Sequence, residues 1–555
     1  MKRKLTWLLS LTLILSVFLA ACSGGDDNAS EGTDGSSEEN VEQVLNLING
    51  DAIPSMDPSM ATDQYGFQFL GATMEGLNRL GEGGEVTPGI AESHEVSEDG
   101  LTWTFKLRED AKWENGDPVT ANDFVYAWQR AVNPDTGSEY GPYMMGGVIK
   151  NAAEISQGDM PVEDLGVKAD GDYTLVVELA NPTPYFESLT TFGTFLPLNQ
   201  KFVEEKGDAF ATSSENLLAN GPFKLENWES TSQKWNLAKN DTYWDADTVK
   251  LETINYVVVK EAQTAVDLYE KGEVDRTGLS SDLVDQYSSD EDYTVKAGNS
   301  VFYLKINQTR NEALANKNIR AAISRAFDKQ ALVDTILNNG SLAANGLVPA
   351  DFTPMPDGSG DFREVSGDLV TYDTAAAKEF WEKGLEELGT DSVEIEFLGG
   401  DTDVSKTMNE YLANQLQTNL PGLKVTLKQV PFEQRLDLDT NQDYDLQLAG
   451  WGPDYLDPYT FLSLWITDGG NNKMGYSNAE YDKLLEETTT TLATDNEARY
   501  QNFLEAEKIL FEDAAIAPVY QSAGAFLSSP KIHGLIENPF GPDYEYKWVS
   551  IGAEE

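Results

Sequence analysis

Two carboxylates three residues apart, Asp454 and Asp457, stand in an aromatic run at 451–465, WGPDYLDPYTFLSLW. Acids at that spacing could serve as an acid and base pair, as metal ligands, or as the counter-charge for a cationic ligand. Pro453 and Pro458 flank them, fixing the local backbone and removing two amide donors. That favours a shaped binding loop over two reacting groups. A carboxylate among indole and phenol rings suits an ammonium group with apolar flanks. The plain alternative is a surface turn whose acids have no ligand.

Other chemistries find little support. The chain has two histidines, His94 and His533, and one cysteine, Cys22, so a Cys/His metal site is excluded and a histidine triad has little to draw on. Asp437, Asp439, Asn441 and Asp443 resemble the start of a calcium loop, but Gln442 stands where the turn glycine belongs and Leu448 where the closing glutamate belongs. No phosphate-cradling glycine motif leads into a helix, and Gly81, Gly83 and Gly84 have no βαβ context. No metal, cofactor or catalytic residue is expected.

The elements that must hold the loop can be read from periodicity. An alternating run at 444–448 predicts a strand, which Gly452 and Pro453 end; loops at strand ends are where α/β proteins hold ligands. Upstream, 393–397, 405–419 and 425–430 read as strand, helix and strand, a βαβ unit. The apolar strand at 254–259, the helix at 262–270 and a strand beginning at Val274 repeat that grammar and imply a sheet covered on both faces. Further strands are predicted at 90–96, 101–107, 175–179 and 302–306, and an apolar helix at 67–80. Thr120 and Asp123 form an N-capping pair for a helix through Trp128, and 318–327 with 330–337 read as paired helices, with Arg320 and Arg325 as surface or docking charges. Trp103, Phe105, Trp113 and Trp128 sit at core spacing. The pattern gives at least two α/β regions, about 41–305 and 306–520, with a ligand cleft between them.

The N-terminus carries Lys2, Arg3 and Lys4 before an apolar run to Ala21 and then Cys22, a secretory signal rather than a permanent span. Residues 19–22, LAAC, resemble a lipobox, which would make Cys22 a lipidated first residue after removal of 1–21. The Ser, Gly, Asp and Glu run that follows is too polar to fold and is expected to be a tether over 22–40. The formal net charge is −55. A field of that sign repels nucleic acid and anionic lipid heads, so neither is a partner.

Residues 101–130, LTWTFKLREDAKWENGDPVTANDFVYAWQR, resemble the signature of the family 5 extracellular solute-binding proteins, in particular the oligopeptide-binding proteins of bacterial ABC importers. Residues 220–225, NGPFKL, with 240–244, 318–324 and the 451 loop, extend the resemblance over nearly the whole mature chain. The resemblance implies a periplasmic-binding-protein-like α/β fold of two lobes hinged around a cleft, with an extra inserted domain. It divides the chain into a discontinuous domain I at 41–92, 206–306 and 521–555, an inserted domain II at 93–205 and a domain III at 307–520. It also implies capture of short peptides in extended form through a free N-terminus and delivery to permease subunits. The binder would be a monomer without catalysis, held by a lipid anchor on the outer face of the cell membrane. The α-ammonium carboxylate falls on Asp454, with Trp451, Gly450, Gly452 and Tyr455 around it and Tyr140 from the second domain. Here Gly452-Pro453 departs from the Cys-Ala of a related loop, which alters main-chain pairing at the first peptide residue. Relatives carry dipeptides, nickel complexes or oligosaccharides, and a peptide-sensing receptor would share the same residues; Asp454 favours an amine over a neutral sugar.

Like charges at this density repel in the compact state and are screened by salt. The thermal unfolding midpoint is therefore expected to rise from low to molar sodium chloride; a midpoint independent of salt would separate the acidic surface from any halophilic role.

Overall fold

The computed structural model describes residues 41–552. The expected signal segment, the tether and Cys22 lie outside the described residues.

Three sheets organise the chain. The first has the strand Val44–Asn49 parallel to Thr253–Val258, which pairs antiparallel with Lys234–Lys239 and through it with Phe223–Glu226. The second, formed by Ala91–Val96, Thr102–Leu107, Thr174–Glu178 and Val167–Ala169, is inserted in sequence between the first and second strands of that sheet along the chain. Both sheets feed one continuous core that includes Leu45, Phe105, Trp113, Trp128 and Tyr256. That shared core is why hydrophobic patterning reads 41–305 as one region. The capping pair forms, with the Thr120 amide donating to Asp123 at 2.7 Å at the start of the helix Ala121–Val132.

The third sheet has seven strands and its own cores. Val393–Gly400, the helix Asp403–Asn419 and Leu423–Val430 make the expected parallel βαβ unit, and Leu446–Trp451 lies between Val393–Gly400 and Tyr293–Ile306. Together the sheets and their helices form two α/β lobes around a cavity, with the inserted sheet beside it. Two long strands link the lobes. Tyr293–Ile306 and Ile516–Ser528 pair at 293–297 with 523–527 and again at 301–305 with 516–521, and the register breaks between Ala297 and Val301. Only the apolar ends of these strands, 302–306 and 515–520, are visible in the sequence. Their other halves, rich in Gly, Ser, Asn and Thr, lack a strand's alternation.

Other differences have equally local causes. The helix expected over 67–80 is Gln64–Thr73, capped by Asp63, and Asn78–Leu80 turns into a short strand. The sheet at 253–258 is not covered on both faces, since burial alternates and Asn255 meets solvent. The strand after the 262–270 helix, Arg276–Leu279, leaves that sheet and joins the seven-stranded one. Arg320 is not a surface charge: it is 5% exposed and donates to the carbonyls of Leu314, Ala315, Asp513 and Ala514. The acids at 437–443 sit on and just after the helix Phe432–Thr440 rather than in an ion loop.

Glu507 shows how the second lobe is tied. Wholly buried, it accepts from both Arg363 Nη atoms at 2.7 Å, from Ser366 at 2.6 Å, and from the amides of Leu347 and Val348 at 2.7 and 3.0 Å. Burial pushes its carboxyl up, yet Arg363 and these donors outweigh burial and hold it below the ordinary glutamate range. Glu507→Gln strands the Arg363 charge and is expected to lower the unfolding free energy by about 3–5 kcal/mol in urea titrations at neutral pH. Because the folded pKa is depressed, the wild-type advantage should fade as pH falls through the carboxylate range.

Candidate functional site

The strand Leu446–Trp451 delivers the site loop. It pairs fully with Val301–Ile306 on one side, while its parallel neighbour pairs with it only at Leu446 and Gln447. From Leu448 to Trp451 the other edge is therefore open, and it faces a cavity of about 610 Å³. The neighbour stays paired with Leu423–Val430 through Gly400, and Gly399 packs against Asn409; a Cβ on Gly399 would lie 1.7 Å from the Asn409 amide nitrogen. Gly450 is required for a similar reason: a Cβ there would meet the Phe302 ring at 2.6 Å, and that ring stacks on Tyr520 at 4.5 Å.

After Trp451 the chain bends through Gly452 and Pro453, and the Pro453 carbonyl accepts from the Gly541 amide at 2.9 Å. The bend turns Asp454 back under the strand. Its side chain is 4% exposed and accepts from the Tyr143 hydroxyl at 3.1 Å and from Thr460 at 3.3 Å, while the Asp454 amide donates to Thr460 Oγ1 at 3.1 Å. No Lys, Arg or His among the described residues pairs with it. Burial pushes the carboxyl up to about 8, against the smaller downward pull of the two hydroxyls. A carboxylate so placed is neutral at pH 7 until a cation enters.

Rings close the site from the inserted segment. Tyr140 and Tyr143 lie one turn apart on the short helix Tyr140–Met145, so both point the same way. The Tyr140 ring stacks beside Trp451 at 6.3 Å and Tyr143 meets it edge-on at 5.9 Å. Gly141 permits this seating, since a Cβ there would strike the Ala131 carbonyl at 1.8 Å.

Of the residues singled out in the sequence, Asp454, Trp451, Gly450, Gly452 and Tyr140 line one cavity. Tyr455 does not. It stacks on Tyr185 at 4.5 Å and faces a smaller chamber of about 310 Å³. The two acids part company as well: Asp457 pairs with buried Arg499 at 3.1 and 3.2 Å and caps Tyr459 at 3.0 Å, a structural role. Sequence reasoning missed Tyr143, whose signal was its spacing of three from Tyr140. It also missed Asn409 and Trp465, which border the cavity and whose amide atoms and indole N–H are buried without a protein partner. The described residues contain no group of His, Cys, Asp and Glu able to hold a metal, and no helix long and apolar enough to cross a membrane.

The lobes meet over the cavity through ion pairs. Lys260, at the end of the Thr253–Val258 strand segment, reaches Asp51 at 3.0 Å and Asp401 of the seven-stranded lobe at 2.9 Å, and Glu139 pairs with Lys473. Fold and site together define a two-lobed solute-binding protein, shown closed.

Comparison with known proteins gives the family. Residues 85–473 match the model for bacterial extracellular solute-binding proteins, family 5 Middle. The chain is 37% identical over 90% of its length to a dipeptide-binding protein of Lactococcus lactis, covering 92% of that protein. It is 47% identical to Listeria monocytogenes OppA bound to peptide, with a TM-score of 0.89 over 92% of this chain and 100% of that one. Against the Escherichia coli murein tripeptide-binding protein MppA, 28% identical over 92% of this chain and 99% of that one, the TM-score is 0.84. It drops to 0.61 for the unliganded open form of MppA, matched at 28% identity over 92% of this chain and 97% of that one. The chain belongs to the family 5 bacterial extracellular solute-binding proteins, whose members act outside the cytoplasm.

If the Lys260 contacts help to hold the lobes together, Lys260→Met should show a larger radius of gyration than wild type in small-angle scattering at low salt. Molar salt, which screens the wild-type pair, should reduce the difference; identical radii at low salt would leave closure to other contacts.

Proposed function

We propose that the chain captures short peptides in extended form, with the peptide α-ammonium on Asp454, and hands them to the permease subunits of an ABC importer. One observation carries this reading: a buried carboxylate without a cation sits at the end of an unpaired strand edge. Main chain added along Leu448–Trp451 would satisfy that edge whatever the side chains, the mode in which a sheet accepts an extended peptide. The ammonium supplies the missing charge, and Trp451 and Tyr140 wall the first residue, with Tyr143 held against Asp454 from the side of the smaller chamber. Gly450 and Gly452 keep the backbone approachable. The peptide-bound Listeria relative and the dipeptide-binding Lactococcus relative support the substrate class.

The reading includes binding without turnover, since the second carboxylate of the loop is held by Arg499 and no other pair of reacting groups meets Asp454. We assign domain I to 41–92, 206–306 and 521–555, domain II to 93–205 and domain III to 307–520, each contributing to the cavity wall. A monomer anchored through lipid on Cys22 completes the picture, supported by the basic flank and the 19–22 sequence. Cys22→Ser should release the protein from the membrane fraction.

Proton linkage tests the ammonium contact. With its carboxyl near 8 in the closed empty site and a peptide α-amine also near ~8, Asp454 must lose a proton when the ammonium arrives. Binding at pH 7 is expected to release close to one proton, seen as a dependence of calorimetric enthalpy on buffer ionisation. Affinity should peak near pH ~8, falling about tenfold from pH ~7 to ~6 as Asp454 protonates, and falling above the optimum as the amine deprotonates. Asp454→Asn should weaken binding at least about tenfold and abolish the proton release. Unchanged peptide affinity in that variant would remove Asp454 from the site.

A further inference from the structure

Asp454 is not the only carboxylate that faces the cavity without a cation. Most of the others are committed: Asp51 and Asp401 to Lys260, Asp439 to Lys305 at 2.6 Å, and Glu139 to Lys473. Asp63 is occupied as the cap of the helix Gln64–Thr73, accepting from the Gly66 amide at 3.0 Å. Asp543, near the C-terminus, lines the same cavity with an exposed side chain, and no Lys or Arg among the described residues pairs with it. The cation that acts on it electrostatically, Arg276, is itself paired with Glu537 at 2.7 Å.

The carboxylate is held in a fixed direction. Gln64 and Gln68 lie one turn apart on the helix Gln64–Thr73, so both point the same way, and both grip the segment around Asp543. Gln64 donates to the Gly541 carbonyl at 2.8 Å and to Asp543 Oδ1 at 2.9 Å. Gln68 accepts from the Tyr544 amide at 2.8 Å and donates to the Tyr544 carbonyl at 2.9 Å. Asn538 closes the turn, donating to the carbonyls of Asp543 and Pro542 at 2.9 and 2.7 Å. Asp543 Oδ2 is left without a protein donor among the described residues. The surrounding protein desolvates the carboxyl and pushes it up to about 6, against the downward pull of Gln64 and Arg276, so at neutral pH it is mostly an anion.

Position gives this anion its meaning. The Gly541 amide donates to the Pro453 carbonyl at 2.9 Å, which joins the Asp543 turn to the bend that delivers Asp454. Asp543 therefore stands at the ammonium end of the open edge, on a wall carried by the helix Gln64–Thr73 rather than by the seven-stranded lobe. An extended peptide sends successive side chains to opposite faces. Of its first two residues, one must turn its side chain towards that wall.

We propose that Asp543 is a specificity residue that binds the cationic side chain, lysine or arginine, of the first or second residue of the peptide. The inference rests on the peptide reading of the site and adds a preference within it, a second cation beside the ammonium on Asp454. A carboxylate oriented by one neutral amide has an oxygen free for either group, and a charge-assisted hydrogen bond is strengthened where water is displaced.

Calorimetry on the purified protein with seven tripeptides decides the matter: tri-alanine, and tri-alanine carrying lysine or its uncharged analogue norleucine at position one, two or three. Lysine is expected to bind at least about tenfold more tightly than norleucine at position one or two. At position three, where only the general negative field of the protein acts, the advantage should be much smaller. Asp543→Asn barely changes that field and should cut the advantage at the preferred position to the level seen at position three, whereas Asp543→Glu should keep part of it. A lysine advantage that is absent, equal at all three positions, or unchanged in Asp543→Asn overturns the assignment, while binding of tri-alanine leaves the peptide reading intact. If none of the seven peptides binds, the peptide reading itself fails and this inference falls with it. The wild-type position series stands even if the Asp543 variants do not fold.

Discussion

A carboxylate that is buried before its partner arrives is the constraint around which this structure is arranged. Taking Asp454 out of water with only the hydroxyls of Tyr143 and Thr460 to stabilise it is unfavourable by several kcal/mol as an anion, so the empty site holds a proton instead. The strand edge beside it is unsatisfied for a related reason, since its parallel neighbour departs after Gln447. Neither feature stabilises the empty protein. Both become favourable when a main chain carrying an ammonium enters, and a site that is poor alone and good with ligand couples binding to closure.

That coupling explains the lobes. Closed and empty, the site keeps Asp454 protonated and the 448–451 edge unpaired; closed on a peptide, it exchanges that proton for a fixed ammonium and pairs the edge. A ligand shifts such an equilibrium only by its differential affinity for the two states, and here the difference lies in contacts made across lobes: Tyr143 comes from the inserted segment and Asp454 from the seven-stranded lobe. The Lys260 and Lys473 pairs bridge the same gap and are partly exposed, where salt screens them. The register break between Ala297 and Val301 lies beside Ser300 and Ser522, at the cavity wall.

How much of this could be read from the chain follows from where each kind of signal resides. The βαβ unit at 393–430 and the strand into Trp451 were legible because periodicity is local, and the loop acids were legible because prolines mark a turn. The division of labour between the acids was not: Asp454 and Asp457 have similar neighbours in sequence, and only Arg499, 42 residues on, shows which one is structural. Arg320 was misread for the same reason, because its acceptors at 513–514 come from a distant helix end. Tyr455 illustrates the reverse error of proximity, since adjacency to Asp454 in sequence turned its ring into the neighbouring chamber. The crossover halves were invisible because strands that leave a sheet's core carry no alternation.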